Sequence, residues 1–278
     1  TEGTLELREY SGTVGHNYKV TLNGEILGAI MDDMDLTVEN AVFDNAYLIV
    51  VSVGMTFVLL TGGIDISVAS IVAFTGVFAA FLLEKGWAAA PVIALTLFIG
   101  AFVGFLQGYA VHEFKIAPFL ITLAGQFLMR GMCAVVSTIS IPITNDFFKS
   151  AALAKISWVT ASGSRPKLYY YVFFAIAIVI IAWYILRFTR FGRAVYAVGS
   201  NEQSAQYMGL NVKGVKVGVY AINGFCSALG GILFSFYTLA GYSLQNMGME
   251  LDAISSAVIG GTLLTGGVGT VIGSMVGV

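Results

Sequence analysis

The sequence predicts an all-α integral membrane protein, a polytopic helical bundle whose helices are interrupted at glycine pairs. Three observations lead to that class. Of 278 residues, 57% are hydrophobic and only 11% charged; a typical soluble domain carries about 25% charged residues, so this chain lacks the surface to dissolve its apolar mass. Apolar runs of about 20 residues, the length a helix needs to cross a bilayer, recur from residue 41 onward. Two of those runs are cut by Gly-Gly.

The elements follow in order. Residues 1–40 form a polar, acidic segment without a span, and Val14–Glu25 reads as a polar hairpin. Residues 1–45 hold nine acids and two bases, whereas the remainder holds seven acids and twelve bases, so the apolar body is net basic. No basic start followed by an apolar stretch marks a cleavable signal. The transmembrane domain is assigned to residues 41–278, with seven to eight spans. Its runs are Ala41–Leu60, Ile66 to just before Glu84, Ala88–Val111, Pro118–Thr138, Leu168–Leu186 and Val217–Ala240. The tail, Ala253–Val278, is broken by glycines and reads as two short helices or as one span and the start of another. The chain is expected to be incomplete at both ends, because residues 1–40 lack a span and Val278 falls inside an apolar run. Cys133 and Cys226 lie deep in apolar runs as small packing residues, with no metal-ligand spacing.

Loop basicity orients the bundle. The segment Arg187–Lys216 carries Arg187, Arg190, Arg193, Lys213 and Lys216 against Glu202 alone, which places it in the cytoplasm. Counting crossings back puts His112–Lys115 on the same side and residues 139–167 outside.

Two features carry candidate function. The string Leu59-Leu60-Thr61-Gly62-Gly63-Ile64 recurs as Leu263-Leu264-Thr265-Gly266-Gly267-Val268, 204 residues later, with Ser70 still matched by Ser274. Paired breaks in two halves point to a transporter's substrate region, since exposed backbone persists in a membrane only where it lines a cavity or meets protein. The alternative is close helix packing through glycine. The crossing count gives both copies the same sense across the membrane. Asp65 follows the first break, either as an intramembrane functional charge or as the N-cap of a helix starting at Ile66. Arg130, within its span, either points into the bundle or snorkels outward. In the basic loop, Ser200 or Asn201 can cap a short helix that Gly209 ends, a docking element for a soluble partner or a plain connector. His16 and His112 read as surface or interface residues, and no catalytic or metal-binding set is visible.

Three stretches resemble the permeases of bacterial ABC sugar importers of the ribose and galactose group: Gly54–Val68, Phe191–Val212, and Glu250–Ile254 with Val258–Gly269. The similarity runs from about Asn45 to Val278; Ile116–Gly125 and Ser140–Ile143 are most similar to the galactofuranose importer's permease. The resemblance implies an ABC sugar-permease fold in the bacterial inner membrane. It implies a second permease subunit, cytoplasmic ABC ATPase subunits and a periplasmic sugar-binding protein as partners. It also implies a coupling helix, assigned here to Gly199, Asn201, Glu202, Ala205 and Gly209. The chain lacks the Gly-Lys-Ser/Thr phosphate loop, so ATP and Mg2+ are expected in the partner ATPase, with no cofactor in this chain. Candidate lining groups for the sugar are Thr61, Gly62, Gly63, Asp65, Ser67, Ser70, Asn223, Ser227 and Thr265, which offer hydroxyls, amides and free backbone. The alternative is an ion-coupled secondary transporter of a small polar solute, for which Asp65 and Arg130 are the available ionisable groups.

Overall fold

The computed structural model describes residues 5–11, 16–22, 25–31, 45–153, 155–157 and 167–278, and divides into two compact units, Thr1–Val42 and Phe43–Val278. In the first unit, β1 (Leu5–Ser11), β2 (His16–Leu22) and β3 (Glu25–Met31) form an antiparallel sheet in that order. The hairpin expected over residues 14–25 falls on β2 and the start of β3; residues 1–4, 12–15, 23–24 and 32–44 lie outside the described residues.

The second unit is the helical bundle. At its centre lie α1 (Ala46–Leu60) and α2 (Val68–Glu84). Their sequences are apolar on every face, which suits a helix surrounded by protein. Ile49–Leu60 is buried without interruption, and α2 is buried from Val68 to Val77. Helix α1 ends where Gly62 turns left-handed, at φ +73, and the Gly63 amide donates back to the Val58 carbonyl at 3.2 Å.

Around this centre run α3 (Ala89–Glu113), α4 (Pro118–Val136), α6 (Tyr170–Phe188) and α9 (Val212–Thr238). All four are long and apolar enough to span a bilayer. Their outward side chains are large and apolar: Phe98, Phe102 and Phe105 on α3, Phe127 and Leu128 on α4, Phe174 and Ile181 on α6. Continuous exposure of this kind suits lipid rather than water. Glycines at four-residue spacing, Gly100, Gly104 and Gly108, let α3 lie directly on α9; a Cβ at Gly104 would overlap the Tyr220 carbonyl oxygen.

The helical membrane bundle therefore holds, but its spans differ from the run lengths read in the sequence. Helices α1 and α2 have 15 and 17 residues, shorter than the four outer helices, because the break at residues 61–67 takes the chain out of helix. On the side of residues 139–167, β4 (Ile141–Pro142) pairs with β7 (Ala240–Gly241), and α5 (Asp146–Leu153) buries Phe148 against Phe236. The strands β5 (Lys155–Ser157) and β6 (Lys167–Tyr169) pair with each other as a separate two-stranded sheet. The cytoplasmic segment folds into α7 (Arg190–Ser200) and α8 (Glu202–Tyr207). The tail forms two short helices, α10 (Met249–Ile259) and α11 (Val271–Val276), the first of the two readings its glycines allow.

The two copies of the repeated string pack against each other. The Ser52 and Ser256 hydroxyls, themselves 204 residues apart, share a 2.7 Å hydrogen bond. A Cβ at Gly266 would lie 2.7 Å from the Gly62 nitrogen. Equivalent residues thus meet at both places, so α1 and α10 run side by side in the same direction, as the crossing count requires. Val51, Met55 and Leu59 fill the seam with Met249, Ala253 and Ala257.

Candidate functional site

The site is built at one end of the bundle, from the two glycine breaks and the α7–α8 segment. Each helix start there is locally encoded. The Thr189 hydroxyl oxygen accepts from the Gly192 amide at 3.1 Å and caps α7. The Asn201 side-chain carbonyl accepts from the Ser204 amide at 2.8 Å and caps α8. Of the two caps open in the sequence, Asn201 is used; the Ser200 hydroxyl instead donates to the Tyr196 carbonyl at 2.9 Å. Gly209, at φ +80, stops α8, and the Leu210 amide donates to the Ala205 carbonyl at 3.1 Å. Within α8 only Ala205 is buried. Just after it, Tyr207 and Met208 stand 88% and 69% exposed, so this short helix shows an aromatic and a methionine to solvent. Glu202 accepts from Lys216 at 2.7 Å through both oxygens, which ties α8 to the first turns of α9. Lys213 pairs with Glu113 at 2.7 Å and joins α9 to the end of α3.

Three backbone segments close on one another beneath α8. The Gly267 amide donates to the Leu60 carbonyl, the last residue of α1, at 2.9 Å. A Cβ on Gly199 would overlap that same carbonyl oxygen and stand 2.7 Å from the Gly267 nitrogen. A Cβ on Gly266 would stand 2.9 Å from the Gly199 carbonyl oxygen, and one on Gly267 would stand 2.6 Å from the Ser200 hydroxyl. One turn earlier in α7, the Tyr196 hydroxyl donates to the Gly269 carbonyl at 2.9 Å; burial pushes this phenol's pKa above its ordinary value, partly offset by nearby Arg187. The end of α7 is therefore held between both glycine breaks by contacts that leave no space for side chains.

A cavity of about 800 Å³ opens beside this junction. Thr61, His112, Lys115, Gly199, Glu202 and Lys216 are among its walls, so residues 112–115 and the α7–α8 segment share one end of the molecule, as loop basicity implies. A smaller cavity of about 170 Å³ adjoins it and touches Thr61, Gly62, Gly63 and Tyr220.

Deeper in, the break between α1 and α2 holds a buried polar group. Asp65 is fully buried. One of its oxygens accepts from the Ser67 amide at 2.8 Å and the Ser67 hydroxyl at 2.6 Å, and the other accepts from the Asn223 side-chain amide at 2.7 Å. The Gln107 side-chain amide donates to Ser67 at 2.9 Å, and the Thr122 hydroxyl donates to the Ile64 carbonyl at 3.3 Å. Asp65 thus serves the start of α2, which begins at Val68 rather than Ile66, and it also binds α9. Burying a polar group costs free energy unless it is hydrogen-bonded, and here each Asp65 side-chain oxygen has a donor.

The candidate lining residues therefore separate. Thr61, Gly62 and Gly63 reach the cavities. Asp65, Ser67 and Asn223 form the buried polar group. The Ser70 and Ser227 hydroxyls are fully buried and donate within their own helices, to the Ser67 and Asn223 carbonyls at 2.6 and 2.8 Å. Thr265 is exposed on the tail loop. Gln107, Thr122 and Tyr220 were not singled out in the sequence; the lone amide of Gln107 inside an apolar span was the signal available. Arg130 donates to the Ser243 and Gln245 carbonyls at 2.7 and 3.0 Å and ties α4 to the loop before α10. It points into the bundle, not to lipid.

A family model described as the permease component of branched-chain amino acid transport systems matches residues 37–278. The inner membrane ABC transporter permease protein YjfF of Escherichia coli is 44% identical over 241 residues, covering 86% of this chain and 71% of the relative. The fructose import permease protein FruG of Bifidobacterium longum is 39% identical, covering 84% and 69%. The ribose import permease protein RbsC of Haemophilus influenzae is also 39% identical, covering 82% and 69%. No solved structure matches the chain.

Proposed function

Because this chain belongs to the permease-component family of branched-chain amino acid transport systems, we propose that it is the membrane subunit of an ATP-driven importer, that its cargo is a monosaccharide, and that it works as one of a pair of permeases. It is a multi-pass protein of the inner membrane and a transport subunit, not an enzyme. The family description speaks of amino acids, but it is broad; relatives at 39% identity are named for fructose and ribose import, and we weigh these more heavily. Galactofuranose remains the narrower reading, supported by the resemblance of residues 116–125 and 140–143.

One observation carries the mechanism: the helix end beside the exposed Tyr207 and Met208 is gripped by both glycine breaks. A cytoplasmic ATPase, which binds ATP and Mg2+, docks on α8 through those two side chains. Gly199 and Asn201 set the joint, Ala205 seats the helix, Glu202 braces it on Lys216, and Gly209 frees its far end. When the ATPase closes, α8 moves, and α7 carries the displacement to the ends of α1 and of the tail loop together. Sugar delivered by an external binding protein leaves through the cavity at Thr61. The Asp65–Asn223 group holds the start of α2 to α9 while the ends move.

Uptake of labelled sugar into proteoliposomes tests this reading. Accumulation is expected only with ATP, the ATPase subunits and the binding protein all present. Accumulation by this chain alone on a proton or sodium gradient would establish the ion-coupled alternative and sink the importer reading.

A further inference from the structure

A second large cavity, of about 660 Å³, shares no lining residue with the first and lies between the end of α6, the body of α7 and the start of α11. Two kinds of residue line it. Arg187 and Arg193 bring guanidinium groups to its rim, and both are exposed. Trp183 and Ile272, 40% and 50% exposed, supply an apolar wall. Leu186, Val271, Tyr196 and Thr270 also line it, and neither polar group is idle: the tyrosine hydroxyl donates to Gly269, and the Thr270 hydroxyl oxygen accepts from the Gly273 amide at 3.1 Å. Among the described residues, no carboxylate lines it. Arg193 donates from Nη1 to the Phe188 carbonyl at 3.3 Å, one of the five N–H donors a guanidinium carries.

We propose that this groove binds an anionic phospholipid of the inner leaflet, its phosphate between Arg187 and Arg193 and an acyl chain along the apolar face of α6. Three arguments converge. Charge complementarity comes first: two arginines with no acid among the described residues lining the groove match a phosphodiester, which guanidinium groups bind in bidentate fashion. Position comes second: the groove sits on the basic side of the bundle, where anionic lipid attracts juxtamembrane Arg and Lys, and Trp183 stands one turn before Arg187, as aromatics do at the interface. Continuity comes third: above Trp183 the outward face of α6 shows Ile181, Ile180 and Phe174, 53%, 58% and 63% exposed, a surface already suited to a lipid tail. The inference is independent of the cargo, and its test does not involve transport.

The full-length permease, purified in mild detergent with its partner subunits, is incubated with phosphatidylglycerol, with phosphatidylcholine or with inorganic phosphate, and retained lipid is counted by native mass spectrometry. Phosphatidylglycerol is expected to be retained in preference to phosphatidylcholine, and phosphate is expected not to displace it. The double variant R187Q/R193Q is expected to lower retention about fivefold per arginine removed, the factor equal to roughly 1 kcal/mol per basic residue at a lipid surface. R187K/R193K should keep much of the retention, and R190Q, a change outside the groove, should keep all of it. Equal retention of the two lipids, displacement by phosphate, or unchanged retention in R187Q/R193Q each overturns the proposal. The lysine variant distinguishes loss of charge from loss of fold, since a collapsed groove would release lipid in both double variants.

Discussion

Gly199 shows how much one missing side chain can do. Its Cα faces the last carbonyl of α1, and a methyl there would overlap the oxygen, a backbone atom that cannot rotate aside. Gly199→Ala is therefore expected to push α7 off the joint while leaving α8, capped by Asn201 and ended by Gly209, able to form. Basal ATPase turnover of the assembled complex should persist, but its stimulation by the loaded binding protein and the transport that depends on it should fall at least tenfold. Normal stimulation and uptake in this variant would remove the joint from the mechanism. Asp65 works differently at the same scale. Its three donors come from Ser67, the N-cap residue of α2, and from a residue 158 positions away, so Asp65 is not itself the cap but holds the residue before α2 to α9.

Among the elements, α8 is too short to hold itself together. Six residues make under two turns, well below the length at which isolated helices persist. It is held by the Asn201 cap, the buried Ala205 and the Glu202–Lys216 pair. The pair is half exposed on the glutamate side, so it steers the helix more than it stabilises it. The end of α8 and the residue after it present Tyr207 and Met208 outward in succession, and exposed aromatics of this kind act as anchors at interfaces. Replacing both with alanine is expected to weaken ATPase binding by about 2–4 kcal/mol, roughly 30- to 1,000-fold in Kd, on the scale of truncated interface anchors. The melting temperature of the free permease should not move, because neither side chain is buried. ATPase affinity within twofold of the original would place the docking surface elsewhere.

Orientation and layering are properties of the whole molecule. The bundle has an inner pair, α1 and α2, wrapped by α3, α4, α6 and α9, with the α7–α8 joint at the cytoplasmic end. Single cysteines at Gln203 and Lys149, both exposed, test this in a background with Cys133 and Cys226 replaced. A membrane-impermeant maleimide added to intact cells should label position 149 and spare position 203. Inverted vesicles should show the opposite. Labelling of both positions from one side would contradict the loop-charge orientation and the crossing count together.

Much of this was legible in the residues. Composition and run length alone determine a membrane bundle, because few charges and long apolar segments are physically incompatible with a soluble surface. The helix caps at Asn201 and Gly209 are local chemistry and can be read in place. The repeated Leu-Leu-Thr-Gly-Gly string is visible as a pattern, and the family follows from motifs in order. Tertiary structure decided the rest. A local string cannot state that Gly62, Gly199 and Gly266 touch, since they are far apart in sequence and only packing brings their backbones together. Nor can hydropathy distinguish α1, which is buried among helices, from α6, which faces lipid, because both environments reward the same apolar residues. The glycine pairs were legible as breaks in helices. Only the fold showed them as a joint, because the absence of a side chain acquires meaning from what stands opposite.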